Sequence, residues 1–295
     1  MGNTLKEAYG KYFAEMMSKS KAPANIDDTN IYQPANLDLQ PYMFKILEDN
    51  FLPGSGLGGI EYFKEFYDAV QSGKSGLILM EHFTNLDLPA IIWLLKQVGE
   101  PWAEDFSKKI VAIAGMKLNE QSDGVRVWTE GFSRVVIYPT RSLEKVSDAE
   151  REEEEKKARK INFASMRAMD ACKKRGEVIL VFPSGTRYRP GVEETRKGLR
   201  EIDSYLRLFD KMLLVSINGN CLSFNPANMD DMLADLVQQD KVLLTAHPVL
   251  DCKEFRNKVL ESLPADDPDP KQKTIDAVMD ILKAQHDEVE KTRLS

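Results

Sequence analysis

Two textures divide the chain. Up to residue 74, apolar positions recur at helical spacing. Leu5, Tyr9, Phe13 and Met16/Met17 share one face of a segment from Leu5 to Ser18, and Tyr42 to Phe51 and Tyr62 to Val70 read as two further helices. From residue 75 onward, short β-type runs alternate with helical stretches. The runs are Leu77–Met80, Ile110–Ala114, Val135–Tyr138, Val178–Phe182, Leu213–Ile217 and Val242–Thr245. Strands separated by helical segments predict an α/β fold with a mixed, largely parallel sheet covered by helices. The expected organisation is a small N-terminal helical domain over 1–74 and an α/β domain over 75–295.

Punctuation refines this picture. Gly54-Ser55-Gly56-Leu57-Gly58-Gly59 matches G-x-G-x-x-G, but no strand precedes it. It therefore reads as a flexible loop between helices and not as a dinucleotide site. Ser147-Asp148-Ala149-Glu150 has the form of a capping box and opens a charged helix to about Lys174. The acidic-then-basic order of that helix suits the helix dipole and fits a solvated face. Leu263 to Pro270 is a Pro/Asp linker, and a closing amphipathic helix is expected from Ile275 to about Glu290.

Composition excludes several classes. The chain has 295 residues and a formal net charge of -7, so it has no electrostatic reason to bind nucleic acid, and any anion site must be local. Cys172, Cys221 and Cys252 are sparse and odd in number, which argues against a disulfide framework. His82, His247 and His286 form no metal-ligand spacing, so no protein-bound metal is expected. No apolar run approaches the roughly 20 residues of a membrane span, and Met1 to Lys21 lacks the apolar centre of a secretory signal. Lys6, Lys11, Lys19 and Lys21 give the first helix a basic character that suits loose peripheral contact with a membrane.

Candidate chemistry gathers at three strand ends. Glu81-His82-Phe83-Thr84-Asn85-Leu86-Asp87 follows the first strand, with a helix expected from about Leu88 to Gln97. On a continuous helix His82 and Asp87 would lie about 140° apart and could not touch. A tight turn, with Asp87 at the helix start, would let Asp87 orient one imidazole nitrogen and leave the other as a base. Taken alone, the pair fits a structural turn better than a catalytic one. Phe182-Pro183-Ser184-Gly185-Thr186-Arg187-Tyr188-Arg189-Pro190-Gly191 follows the fourth strand. In an extended loop Arg187 and Arg189 face the same way, and guanidinium forks match phosphate oxygens. Gly185 would let backbone N–H groups approach an anion. A solvated surface loop is the bland alternative. Arg141, in Tyr138-Pro139-Thr140-Arg141-Ser142 after the third strand, is a third candidate cation. Ligands of open α/β sheets collect outside the carboxyl ends of strands, where all three clusters fall.

His82-x4-Asp87 resembles the signature of the glycerolipid acyltransferases, and Phe182-Pro183-Ser184-Gly185-Thr186-Arg187 resembles that family's second signature, F-P-E-G-T-R. The order and separation of the two are similar as well, over roughly residues 75–250. Ser184 in place of Glu, and Arg187-Tyr188-Arg189-Pro190, look most like the soluble plastid-type glycerol-3-phosphate acyltransferases. That resemblance implies transfer of a fatty acyl group from acyl carrier protein or coenzyme A to the sn-1 hydroxyl of glycerol 3-phosphate, without cofactor or metal. His82 would be the base and Asp87 its orienting partner. Arg187, Arg189 and Arg141 would hold the phosphate, with Ser184, Gly185 and Thr186 as the motif backbone. The location implied is cytoplasm or plastid stroma, soluble or peripherally membrane-associated. Two alternatives share these residues: a lysophosphatidate acyltransferase, and a non-catalytic lipid- or carrier-binding protein on the same scaffold.

Overall fold

The strand β3 (Gly76–Met80) is buried along its whole length, as its unbroken apolar sequence requires of a strand covered on both faces. The computed structural model describes residues 2–294 apart from 24, 117, 119–122, 144–145, 148 and 230. In it, β3 lies between β6 (Val178–Val181) and β7 (Lys211–Asn218), parallel to both. Beyond β6 come β4 (Ile110–Gly115) and β5 (Arg134–Ile137), again parallel. Outside this sheet β8 (Leu222–Ser223) pairs with β9 (Leu236–Val237), and beyond β7, β10 (Leu243–Ala246) runs antiparallel. Two short strands close the edges: β1 (Tyr32–Gln33) antiparallel to β5, and β2 (Gly56–Gly58) parallel to β10. The sheet is the mixed, largely parallel α/β sheet that the alternation of runs predicts.

Alternation along β3 divides the core in two. Ile78 and Met80 face one hydrophobic cluster, Leu77 and Leu79 the other. The first cluster packs under α1 (Leu5–Lys19), α2 (Gln40–Asn50), α3 (Ile60–Gln71), α4 (Asp87–Gln97), α5 (Pro101–Lys109) and α6 (Asp123–Glu130). After the single turn α7 (Thr140–Leu143), the second face is covered by α8 (Arg151–Lys174), α9 (Asp203–Leu208), α10 (Cys252–Ser262) and α11 (Pro270–Arg293). Residues 1–74 are mostly helical, yet they share the first cluster with α4–α6 and lend β1 and β2 to the sheet. Their packing is continuous with that of the α/β region from residue 75 onward. The stripe Leu5, Tyr9, Phe13 and Met16 of α1 packs on α2 and α6, with the Phe13 ring stacked on Trp128, and so extends that cluster outward.

Two local expectations change. Ser147 Oγ donates to the Glu150 carboxylate at 2.6 Å, and Glu150 caps no backbone N–H, so the helix starts at Arg151 without a capping box. Asp148 lies outside the described residues. The Gly54–Gly59 segment is not a flexible interhelical loop, because its centre is the edge strand β2 on β10. The glycines are needed for close approach. A Cβ at Gly58 would come within 2.7 Å of the Thr245 hydroxyl, and one at Gly59 within 2.7 Å of the Ala246 carbonyl oxygen, with Gly59 at φ +66°.

Gly59→Ala should therefore destabilise the fold by at least about 1–2 kcal/mol, the usual cost of an L-residue in the left-handed region. Gly10→Ala, inside α1 with open space around the added methyl, should be neutral or stabilising by up to about 1 kcal/mol. Urea denaturation of both variants checks the contrast. Equal midpoints would show that β2 is not clamped as described.

Candidate active site

Parallel pairing of β3 with β6 sets Leu79 beside Val181, so the residues after each strand emerge side by side. The His82 ring stacks on Phe182 at 3.9 Å between centroids and 13° between planes. The Tyr188 N–H donates to the His82 carbonyl at 2.7 Å, which ties the second loop to the first. The two clusters thus form one surface.

The turn that contact between His82 and Asp87 requires is present. Asp87 is the first residue of α4 and is buried. Its Oδ2 accepts from the Phe83 N–H at 2.6 Å and the Thr84 N–H at 2.9 Å, and its Oδ1 accepts from the Thr84 hydroxyl at 2.8 Å. The same Oδ2 lies 2.9 Å from His82 Nδ1. Every other neighbour of this carboxylate donates to it, so Nδ1 carries the proton in that contact and Nε2 is left as the acceptor. Trp128 Nε1 donates to the Asn85 carbonyl at 3.1 Å and holds the outer edge of the turn.

His82 stands at the wall of a cavity of about 870 Å³, predominantly apolar, that runs past β4 and β5. Arg141, on α7, lines the same cavity and is exposed. It stands beyond the end of β5, three strand spacings from β3, or about 14 Å. Arg187 and Arg189 are not part of the cavity lining. Their guanidinium carbons sit 4.3 and 5.9 Å from the centroid of the Phe224 ring, so the two do converge. Phe224 is also a wall of a second, smaller hollow of about 280 Å³, shared with Phe83, Tyr188 and His286.

The second loop is stiffened by its own bonds. Ser184 Oγ donates to the Thr186 carbonyl at 2.7 Å, and the Gly185 N–H donates to the Phe182 carbonyl at 2.9 Å. Gly185 has φ +64°, and a Cβ there would meet Leu199 at 2.4 Å. The Gly185 N–H itself is thus spent on the turn. Glycine serves here for backbone conformation and close packing.

Several partners escape sequence reasoning. Arg187 Nη1 pairs with Asp235, whose carboxyl is pushed up by burial against the opposing pull of Arg187. Arg187 is thereby held in place and partly neutralised by the chain itself. His286, on α11, has its Nδ1 2.9 Å from Glu81 Oε2, and that oxygen also accepts from the Ile217 N–H at 2.8 Å. Burial alone would lower the His286 pKa, but the bond to Glu81 and its charge outweigh that and raise it. The Phe83 and His286 rings lie 5.5 Å apart. Glu81 is separated from His286 by 205 positions, so no local signal could reveal the pair. Among the described residues no group of His, Cys, Asp and Glu is placed to hold a metal, and no helix is long and apolar enough to cross a membrane.

No family model matches the chain, and no curated protein matches it at a significant level. Among solved structures it is similar to the crystal structure of the 1-acyl-sn-glycerophosphate (LPA) acyltransferase PlsC from Thermotoga maritima. The identity is 15% and the TM-score 0.46, over 98% of this chain and 90% of that one. A likeness of that size carries no weight for function, which rests on the chain's own residues.

A raised His286 pKa has a signed consequence for stability. A folded-state value above the unfolded one, near 6.5, stabilises fully below the unfolded value and is lost as pH rises through the folded value. His286→Gln should therefore cost the most stability near pH 5 and progressively less toward pH 8. Thermal melts across that range test this, and a cost that grows with pH would reverse the assignment.

Proposed function

We propose that this chain is an acyltransferase that moves a fatty acyl group from a carrier thioester onto a hydroxyl of a phosphate-bearing acceptor, glycerol 3-phosphate first among them. The observation that carries this reading is the His82–Asp87 pair, with its donor-bound carboxylate, at the wall of a long apolar cavity. An apolar cavity of about 870 Å³ suits an acyl chain. Arg187 and Arg189, which converge on the Phe224 ring, together suit a small anionic head.

The chemistry follows from these positions. His82 Nε2 takes the proton of the acceptor hydroxyl as the oxygen attacks the thioester carbonyl. The tetrahedral intermediate collapses with loss of the thiolate, and the imidazolium returns its proton to the sulfur. No enzyme nucleophile is required, since the acceptor attacks directly. The buried Cys172, Cys221 and Cys252 support this: burial pushes each thiol up to about 12, away from thiolate chemistry. The arginines contribute by positioning the acceptor so that its hydroxyl meets His82.

His82→Ala should lower turnover by about 10²–10⁴-fold, the usual worth of a positioned base, with the fold intact. Near-wild-type turnover by a folded His82→Ala protein would sink the base assignment. The acceptor is decided by crossing two donors, acyl carrier protein and coenzyme A thioesters, with two acceptors, glycerol 3-phosphate and lysophosphatidate. Turnover with lysophosphatidate alone would move the reading to the second acylation, and binding of thioesters without turnover would leave a carrier- or lipid-binding protein.

Removing Arg187 would strand the buried Asp235, so the phosphate site is tested at Arg189. Arg189→Ala should raise the acceptor KM roughly tenfold to a hundredfold, from the loss of one charge-assisted contact, and leave the donor KM nearly unchanged. A change confined to the donor KM would assign the pair to the carrier instead.

A further inference from the structure

The outer face of α8 carries two large apolar side chains in open solvent. Phe163 is 64% exposed and Met166 is 52% exposed. They stand three positions apart and so form one ridge along the helix. Cations surround that ridge. Arg159 and Lys160 lie four and three positions before Phe163, Arg167 lies four after it, and all three are exposed. Lys160 and Arg167 make no ion pair among the described residues, and Arg159 reaches Glu155 at 4.0 Å. From Lys156 to Lys174 the helix holds seven basic residues and one acidic one, Asp170, which Lys174 pairs at 2.8 Å. The acidic run Glu152 to Glu155 is farther off, about 12 Å or more from Phe163 along the axis. A solvated charged face accounts for the cations but not for a phenyl ring standing in water.

The ridge borders the apolar cavity. Met166 lines that cavity and is also exposed, so it stands where the cavity meets solvent. Leu208, at the end of α9, does the same at 42% exposure. Lys173 of α8 donates to the Leu208 carbonyl at 2.7 Å, which sets Leu208 beside the last turn of the helix. Among the exposed charges on the lining, Arg141 and Arg207 outnumber Glu201, and Arg207 pairs with Asp203 at 3.8 Å. The rim is therefore apolar and cationic, as the ridge is. The basic helix α1 is built differently. It buries Leu5, Tyr9, Phe13 and Met16 in the core and keeps Met17 as its exposed large apolar side chain.

We infer that the outer face of α8 is a docking surface for an anionic lipid bilayer, and that docking sets the mouth of the apolar cavity against the membrane. An apolar side chain ringed by Lys and Arg is the pattern of helices that lie in a lipid interface. The ring enters the acyl boundary while the cations stay with the phosphates. A helix ridge is convex, so a protein partner would need a groove shaped to receive it, whereas headgroups part around a ring in any orientation. The chain as a whole carries a net charge of -7, so the attraction is local to this face and acts over about a Debye length. Docking does not depend on the acyl-transfer reading. If that reading holds, the docked pose lets an acyl chain pass between cavity and bilayer along Met166 and Leu208 without crossing water.

Vesicle sedimentation with the full chain tests this, using vesicles of phosphatidylcholine alone or mixed with phosphatidylglycerol. The protein should pellet with the mixed vesicles far more than with phosphatidylcholine alone, and less as salt rises. Phe163→Ser should weaken binding roughly tenfold to a hundredfold, the worth of burying one phenylalanine. Lys160→Gln with Arg167→Gln should weaken it roughly thirtyfold, about fivefold for each charge. Lys6→Gln with Lys11→Gln, on α1, should leave it unchanged. All five positions are exposed, so the fold should survive, which circular dichroism checks. No binding to mixed vesicles would overturn the surface, and so would full binding by Phe163→Ser or a loss caused by the α1 pair alone. Binding of acyl carrier protein that Phe163→Ser abolishes, without vesicle binding, would replace the bilayer with a protein partner. Turnover of a long-chain coenzyme A thioester is the second readout. Vesicle binding without turnover would uphold the surface and refute acyl transfer, and turnover without vesicle binding would do the reverse.

Discussion

The pairing of β3 with β6 is the constraint on which the site depends. The two strands are far apart in sequence and adjacent in the sheet, with Ile78 beside Leu180 and Leu79 beside Val181. Because the pairing is parallel, both chains leave the sheet at the same edge and in the same direction. His82 then stacks on Phe182, and the second loop bonds to the His82 carbonyl. An antiparallel pairing of the same strands would place the two loops at opposite ends of the sheet. The apolar runs that make the strands pair are therefore also what assembles the chemistry.

Charge around the site is arranged by burial. Asp87 is surrounded by donors and orients His82 through one oxygen while backbone N–H groups hold that oxygen still. Arg187 is held by Asp235 and packs on Phe224, which gives a loop cation the fixed geometry that an anion site needs. Glu81 joins the strand end to α11 through His286, so the C-terminal helix braces the residue just before His82. Arg134, like Arg126 Nε and Asp235 Oδ1, is a buried group that the described residues leave partly unsatisfied.

Local signals were the legible part. The boundaries of β3 and α4 follow from an apolar run and from a Pro-containing first turn, and the turn between His82 and Asp87 follows from their positions at a strand end and a helix start. The convergence of Arg187 and Arg189 follows from two-residue spacing in an extended loop, since that geometry depends only on the residues between them. Gly56–Gly58 failed as a reading because it lacks the side chains that announce a strand; it becomes one only because β10 offers an open edge. The segment from Phe224 to Asp235 carried no motif, yet it supplies the partner and the platform of Arg187.

By itself, then, the sequence determined the class of fold, the strand ends at which candidate chemistry collects, and the pairing of His82 with Asp87. Each of these is set within a few residues, by side-chain periodicity and by the reach of a single turn. The tertiary structure alone decided which cations share a space with His82, since Arg141 joins its cavity while Arg187 and Arg189 gather on Phe224 outside its lining. It also decided that Glu81 meets His286 across 205 positions and that Arg134 is buried with two donors unpaired among the described residues. Such pairings depend on which elements the sheet and its two cores bring together. A side chain's charge is written in its own residue, but its partner is chosen by the packing of the whole chain.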